Sequence, residues 1–280
     1  MNSLPLDPRR RAVVAHWWRE SYLGACWRRA DTLDLPTAVL ALGAQEVLCT
    51  APMLVAMSAV MSRYHLGYVG GFLHDLLGLD ASSDAVVRDL FVSTRTPDWS
   101  SLWTGLAVAL VFYVAVATTT QRAVDAIWTV RREGWSGRWR RLVWVGVQVL
   151  VYGSALVVVR ILHARHLPEA AASGAYAVML GVSVGAFHLW GHHLLLHGDV
   201  RRRDLLPGSV AIGTGVLLLV AVSPVIMPSQ ITGNVADYGL VGAAFVLSLW
   251  AVTYSTIVVF GTLLGQVYVS RGRSFGRRDR

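Results

Sequence analysis

A chain of 280 residues that is 54% hydrophobic and 15% charged, with mean hydropathy +0.50, lies outside the composition of a soluble domain, which carries about 25% charged residues. Its formal net charge is +8, and all of its side-chain cations other than histidine are arginines, because the sequence contains no lysine. No phosphate-binding loop of the GxxxxGK[ST] type can therefore exist, and neither an HExxH pair nor a kinase signature occurs.

The first 35 residues are basic and aromatic. The string "RRRAVVAHWWRESYLGACWRRA" interleaves arginine with Trp17, Trp18, Tyr22 and Trp27. This pattern suits either base stacking on nucleic acid or a helix lying among lipid headgroups. Beside a membrane span the second is expected, with membrane lipids as partners and no nucleic acid. A polar, basic start without a cleavable leader implies insertion through the chain's own spans.

About 20 apolar residues cross the hydrocarbon core as a helix, and six runs qualify, at about 36–61, 102–119, 142–162, 170–196, 206–227 and 238–269. Arginines cluster before the first run, around the connection from the second to the third, after the fourth (Arg201, Arg202, Arg203), and in the tail at 270–280. Only Arg63, Arg88, Arg95, Arg160 and Arg165 fall elsewhere. Since arginines near span ends stay in the cytoplasm, the distribution predicts six spans in the bacterial cytoplasmic (inner) membrane with both termini cytoplasmic. The expected fold is all-α: a polytopic six-transmembrane-helix bundle with an amphipathic N-terminal segment (1–35) and short outer-surface helices. The spans occupy 36–269, and short turns make the last three antiparallel neighbours. The outer connection at 62–101, with "GGFLHDLLGL" and "DAVVRDLF", carries the helical spacing of those surface helices.

Ionisable and amide groups inside spans are the default functional candidates. The first span carries Gln45 and Glu46 near mid-depth, with Pro52 beyond them; Glu46 is read as a proton or cation site, an arginine partner, or a carboxyl hydrogen-bonded inside the bundle. Gln148, with Tyr152 and Ser154, lies in the third span; Tyr254, Ser255 and Gln266 lie in the sixth. Such groups also serve as interhelical glue. Gly181 with Gly185 and Gly261 with Gly265 have the small-xxx-small spacing of close helix contacts. Cys26 and Cys49 read as small buried hydrophobes.

The run "HLWGHHLLLHGDVRRRDLLPGS" holds His188, His192, His193 and His197. On one helix they form two pairs about 100° apart and cannot converge on a single ion. No metal or cofactor is expected, and these histidines read as anchors at the membrane interface.

The last third, "HHLLLHGDVRRRDLLPGSVAIGTGVLLLV" and "ADYGLVGAAFVLSLWAVTYSTIVVFGTLLGQVY", resembles the YihY/BrkB membrane protein family, once labelled ribonuclease BN. The resemblance rests on Leu206, Pro207 and Gly208 opening the fifth span, and on Tyr238, Gly239, Gly242, Trp250 and Gly261 or Gly265 in the sixth. The first span departs from it, with "GAQEVLCTAP" in place of an aromatic-rich stretch leading to Phe-Pro. The resemblance implies six inner-membrane spans and, for some members, export of lipids or envelope precursors.

The function expected is therefore transport of an amphipathic or lipid-like anionic substrate, not enzymatic catalysis. Candidate binding residues are Glu46, Gln45, Gln148, Gln266 and Arg201, Arg202 and Arg203, the arginines engaging headgroup phosphates. Pro207, Gly208, Tyr238, Gly239, Gly261 and Gly265 are the hinge and packing candidates. The alternative is a non-catalytic scaffold for envelope proteins, or a homo-oligomer. A ribonuclease reading lacks a carboxylate cluster for metal-assisted hydrolysis.

Overall fold

The computed structural model describes residues 21–63, 99–130, 136–164 and 169–275. Among them the chain forms seven helices and no strand: α1 (Tyr22–Thr32), α2 (Leu35–Arg63), α3 (Trp99–Trp128), α4 (Ser136–Ala164), α5 (Glu169–Leu195), α6 (Arg202–Tyr238) and α7 (Leu240–Phe275). The expected outer-surface helices, Trp17 and Trp18, and residues 276–280 of the basic tail lie outside the described residues. Four helices are long and apolar enough to cross a membrane, over Trp103–Trp128, Gly174–Leu195, Arg202–Tyr238 and Val241–Gly272. Leu35–Thr50 in α2 is a shorter apolar stretch.

Local chemistry sets the helix ends. The Ser21 hydroxyl accepts from the Gly24 amide at 2.9 Å, capping α1. At the end of α5, the Gly198 amide donates to the His193 carbonyl and the His197 amide to the Leu194 carbonyl. That pair of bonds is the Schellman pattern, with His197 at φ 59° in the left-handed position usually held by glycine. Between α6 and α7 the chain turns at Gly239, whose φ of 62° and ψ of −147° suit only a residue without a Cβ.

α6 lies between α5 and α7 and packs on both more extensively than on any other element. The sequence supplies small residues on each flank. A Cβ on Gly181 of α5 would stand 2.7 Å from the Gly213 carbonyl oxygen, and one on Gly261 of α7 would stand 3.2 Å from the Ile212 nitrogen. Gly208 faces the Gly261 carbonyl, Thr262 and Gly265. Backbones approach this closely only where side chains are absent, and dispersion between them holds helices together where lipid supplies no hydrophobic drive. The string "GVSVG" at 181–185 also spells GxSxG, but a nucleophile elbow needs a sharp strand-to-helix turn. Ser183 sits in the middle of α5.

Several boundaries differ from the sequence reading. The fifth run, expected to end at 227, continues as helix through Pro224 and Pro228 to Tyr238, so Tyr238 closes α6 instead of opening the sixth span. Each proline deletes one backbone hydrogen bond, but Met227 and Ile231 are fully buried beside them and hold that stretch in the bundle. The helix also begins at Arg202, which puts Pro207 inside it and not at its opening. The second run, expected to end at 119, extends to Trp128 because Thr120 and Gln121 are buried.

Arginines gather the helix ends. The Arg29 guanidinium donates to the Ile127 carbonyl at 2.9 Å, and Arg140 donates to the Leu194 carbonyl at 3.1 Å. Both acceptors lie in the last turn of a helix, where carbonyls lack an intrahelical partner and the dipole is negative. Arg271 donates to the Ser21 carbonyl at 2.8 Å and stands over the Tyr22 ring. Arg141 joins α4 to α3 through Gln121 at 2.6 Å and Thr118 at 3.2 Å. Val124, Leu196 and Leu205 complete this end in a small apolar cluster. The end of the bundle bearing the arginines is thus built from α1, the C-terminal ends of α3, α5 and α7, and the N-terminal ends of α4 and α6.

Candidate functional site

α4 packs on α3 and α5 but makes no close backbone contact with α2 or α7. The space left between these helices is a cavity of about 210 Å³, lined by Glu46, Cys49 and Thr50 of α2, Tyr113 of α3, Gln148 and Tyr152 of α4, and Tyr254 of α7. Spacings of three and four residues put the α2 group on one face, and the same holds for the α4 pair.

The cavity is polar at its centre. The Ser255 hydroxyl donates toward Glu46 Oε2 at 3.5 Å, a long contact and, among the described residues, the sole side-chain hydrogen bond to that carboxyl. The Tyr152 and Tyr254 hydroxyls are hydrogen-bonded to each other, bridging α4 and α7 across the gap. The Gln148 side chain is 4% exposed and approaches the Tyr152 hydroxyl, while its Oε1 has no hydrogen-bond partner. The Thr50 hydroxyl donates back to the Glu46 carbonyl at 2.8 Å, which loosens α2 beside the carboxyl. Among the described residues, no arginine or histidine lines the cavity.

Of the residues singled out from sequence, Glu46 and Gln148 come together here. Gln45 and Gln266 do not: neither lines the cavity, and each keeps a buried amide oxygen without a partner elsewhere in the bundle. Arg201, Arg202 and Arg203 are exposed at the start of α6, at the arginine-bearing end. Pro207, Gly208, Gly261 and Gly265 form the contact between α6 and α7, and Gly239 the turn joining those helices. Tyr113, Cys49 and Thr50 were missed as site residues, since a tyrosine, a cysteine and a threonine in apolar runs carry no signal of convergence. Tyr152, Tyr254 and Ser255, read as interhelical glue, do bridge helices and also border the carboxyl.

The histidines behave differently from the interfacial anchors expected. His188 and His192 are each 2% exposed, with ring centroids 5.3 Å apart, and His188 is edge-on to Phe187. The i, i+4 repeat puts both on the face of α5 turned toward the core, where His188 Nδ1 donates to the Val184 carbonyl at 3.0 Å. His193 Nδ1 donates to the Val200 carbonyl and His197 Nδ1 to the Leu195 carbonyl, both closing the turn after α5. Among the described residues no three His, Cys, Asp or Glu side chains group as metal ligands would.

Outside the apolar spans, α1 docks on α7 through the Tyr22 hydroxyl, which donates to the Leu264 carbonyl. Burial pushes the Tyr22 phenol up to about 12.

Fold and cavity together define a class: a bundle that is all-helical among the described residues, compatible with a multi-pass membrane protein, with one carboxyl in a partly open, tyrosine-lined cavity. No family model, curated protein or solved structure matches the chain.

Proposed function

We propose that the chain is a six-span protein of the bacterial cytoplasmic membrane, a divergent relative of the YihY/BrkB family, that transports an amphipathic, lipid-like anionic substrate. Two more helices complete the six. α4 carries the uncharged run 142–159, and α2 carries 36–61, in which Glu46 is the sole charge. Both termini are cytoplasmic in this reading, because the arginine-bearing end of the bundle gathers the clusters that the positive-inside rule retains there.

The observation that carries the transport reading is the cavity. A bundle that served only as an anchor or scaffold would gain stability from apolar side chains filling such a void, since cavities in a core are costly. A void kept around a carboxyl suits a protein that binds or passes something through its interior. Among the described residues the one charged group in that void is negative, so the substrate's anionic group is met at Arg201, Arg202 and Arg203 and not in the cavity.

Reconstitution into liposomes with headgroup-labelled anionic lipids tests the proposal. Flux above empty vesicles is expected, with a fall when Arg201, Arg202 and Arg203 are all changed to alanine. No flux above empty vesicles for any anionic headgroup overturns it.

A further inference from the structure

Glu46 is a half-buried carboxyl in an apolar bundle, and among the described residues no cationic side chain lines its cavity. A carboxylate shielded from water on most sides without a counter-charge is disfavoured, so the group takes up a proton or a cation that enters. The cavity offers more than a place for a proton. Its roughly 210 Å³ equals the share of about seven water molecules in the liquid. Three tyrosine side chains stand around it, and Gln148 adds an acceptor oxygen that is buried and without a partner. Alkali and alkaline-earth ions take many oxygen ligands in a tight shell, whereas the oxygens here, from Glu46, Thr50, Gln148 and the three tyrosines, are spread around a space of about 210 Å³ that also presents tyrosine rings. Tyrosine rings with one carboxylate are the surroundings that attract an organic ammonium head, through ring quadrupole and charge together.

We propose that the cavity between α2, α3, α4 and α7 is a binding site for a small organic ammonium ion, with Glu46 supplying the charge, Tyr113, Tyr152 and Tyr254 the aromatic wall, and Gln148 an acceptor. Binding to the protonated protein releases one proton: the Glu46 O–H bond breaks, the proton goes to solvent, and the ammonium takes its place as counter-charge without forming a covalent bond. The titratable groups facing Glu46 are Cys49 on its own helix, Tyr113 on α3, Tyr152 on α4 and Tyr254 on α7. Thiols and phenols ordinarily ionise above neutral pH, so the linkage to acid belongs to Glu46. Affinity then rises with pH by up to about tenfold per unit wherever the free carboxyl is protonated. The site is independent of the transport reading, because occupancy is measured at equilibrium without flux.

Tetramethylammonium chloride titrated calorimetrically into the purified detergent-solubilised protein tests it, with sodium chloride at equal ionic strength as the control. Saturable binding is expected, accompanied by proton release in weak buffer, at least about tenfold weaker in Glu46→Gln and retained in Glu46→Asp. A second measurement uses the unaltered protein, so the outcome does not hinge on a variant folding. Carbodiimide labelling of Glu46, read by peptide mass spectrometry, is slowed by tetramethylammonium and not by sodium. Absence of both saturable binding and protection in the wild type overturns the proposal, as does equal affinity in folded Glu46→Gln. Equal protection by sodium overturns the assignment to an organic ammonium.

Discussion

Gly265→Ala puts a methyl group into a close backbone approach of α7 to α6. A Cβ at that position falls 2.5 Å from the Gly208 Cα and 3.4 Å from the Pro207 carbonyl carbon. Ordinary contact begins near 3.4 Å, so the two helices must part by roughly 1 Å along this stretch. Both neighbouring atoms are backbone, and no side chain can swing aside. Overpacking of this kind costs about 1–3 kcal/mol, offset by up to about 1 kcal/mol of helix propensity gained on replacing glycine with alanine. Gly146 isolates the offset: it is exposed, and nothing lies within 4 Å of its Cβ, so Gly146→Ala is expected to be neutral or slightly stabilising. Equilibrium unfolding in mixed micelles, followed by tryptophan fluorescence and circular dichroism, measures both substitutions. The difference between them is the packing term, about 1–3 kcal/mol. Equal stability of the two variants would refute the close contact between α6 and α7.

Arg141→Ala removes two charge-assisted bonds, to Gln121 and Thr118, and leaves the buried Gln121 amide without its partner. A loss of about 1.5–3 kcal/mol is expected by the same unfolding assay, and a change below the error of the method contradicts the role assigned to Arg141. Tyr22 holds its proton more tightly in the folded state, up to about 12, than an ordinary tyrosine near 10. Its contribution is therefore complete below about pH 10 and lost as pH rises through about 12. The stability difference between wild type and Tyr22→Phe should shrink over that window, and a constant difference argues against docking of α1 through this hydroxyl. His197→Gly relieves a left-handed backbone at the end of α5 and should stabilise the protein by up to about 1 kcal/mol; destabilisation would mean that the His197 side-chain bond to Leu195 matters more than the backbone.

The helices were legible in the sequence because long uncharged runs leave few alternatives, and their partners were partly legible through glycine spacing. Gly181 and Gly185 do meet α6, as do Gly261 and Gly265. Prolines misled at Pro224 and Pro228, where burial of Met227 and Ile231 outweighs the lost backbone bonds. The histidines misled for the opposite reason: helical spacing was read correctly, but which face turns inward depends on where Trp144 and Phe187 pack. Glu46 stood out as an acid at mid-span, and Gln148 as an amide. Their meeting, and the arrival of Tyr113 from α3 and Tyr254 from α7, depend on α4 standing away from α2 and α7. No periodicity within a single helix encodes that separation.

The proposed topology has the bundle crossing a membrane with its arginine-bearing end inside the cell. Single cysteines at Arg202 and Tyr238, the two exposed ends of α6, in a background with Cys26 and Cys49 changed to alanine, test it directly with a membrane-impermeant maleimide on intact cells. Tyr238→Cys is expected to label from outside, and Arg202→Cys only after the membrane is opened. Labelling of both positions from the same side would mean that α6 does not span, and the reverse pattern would mean that the arginine-bearing end faces out.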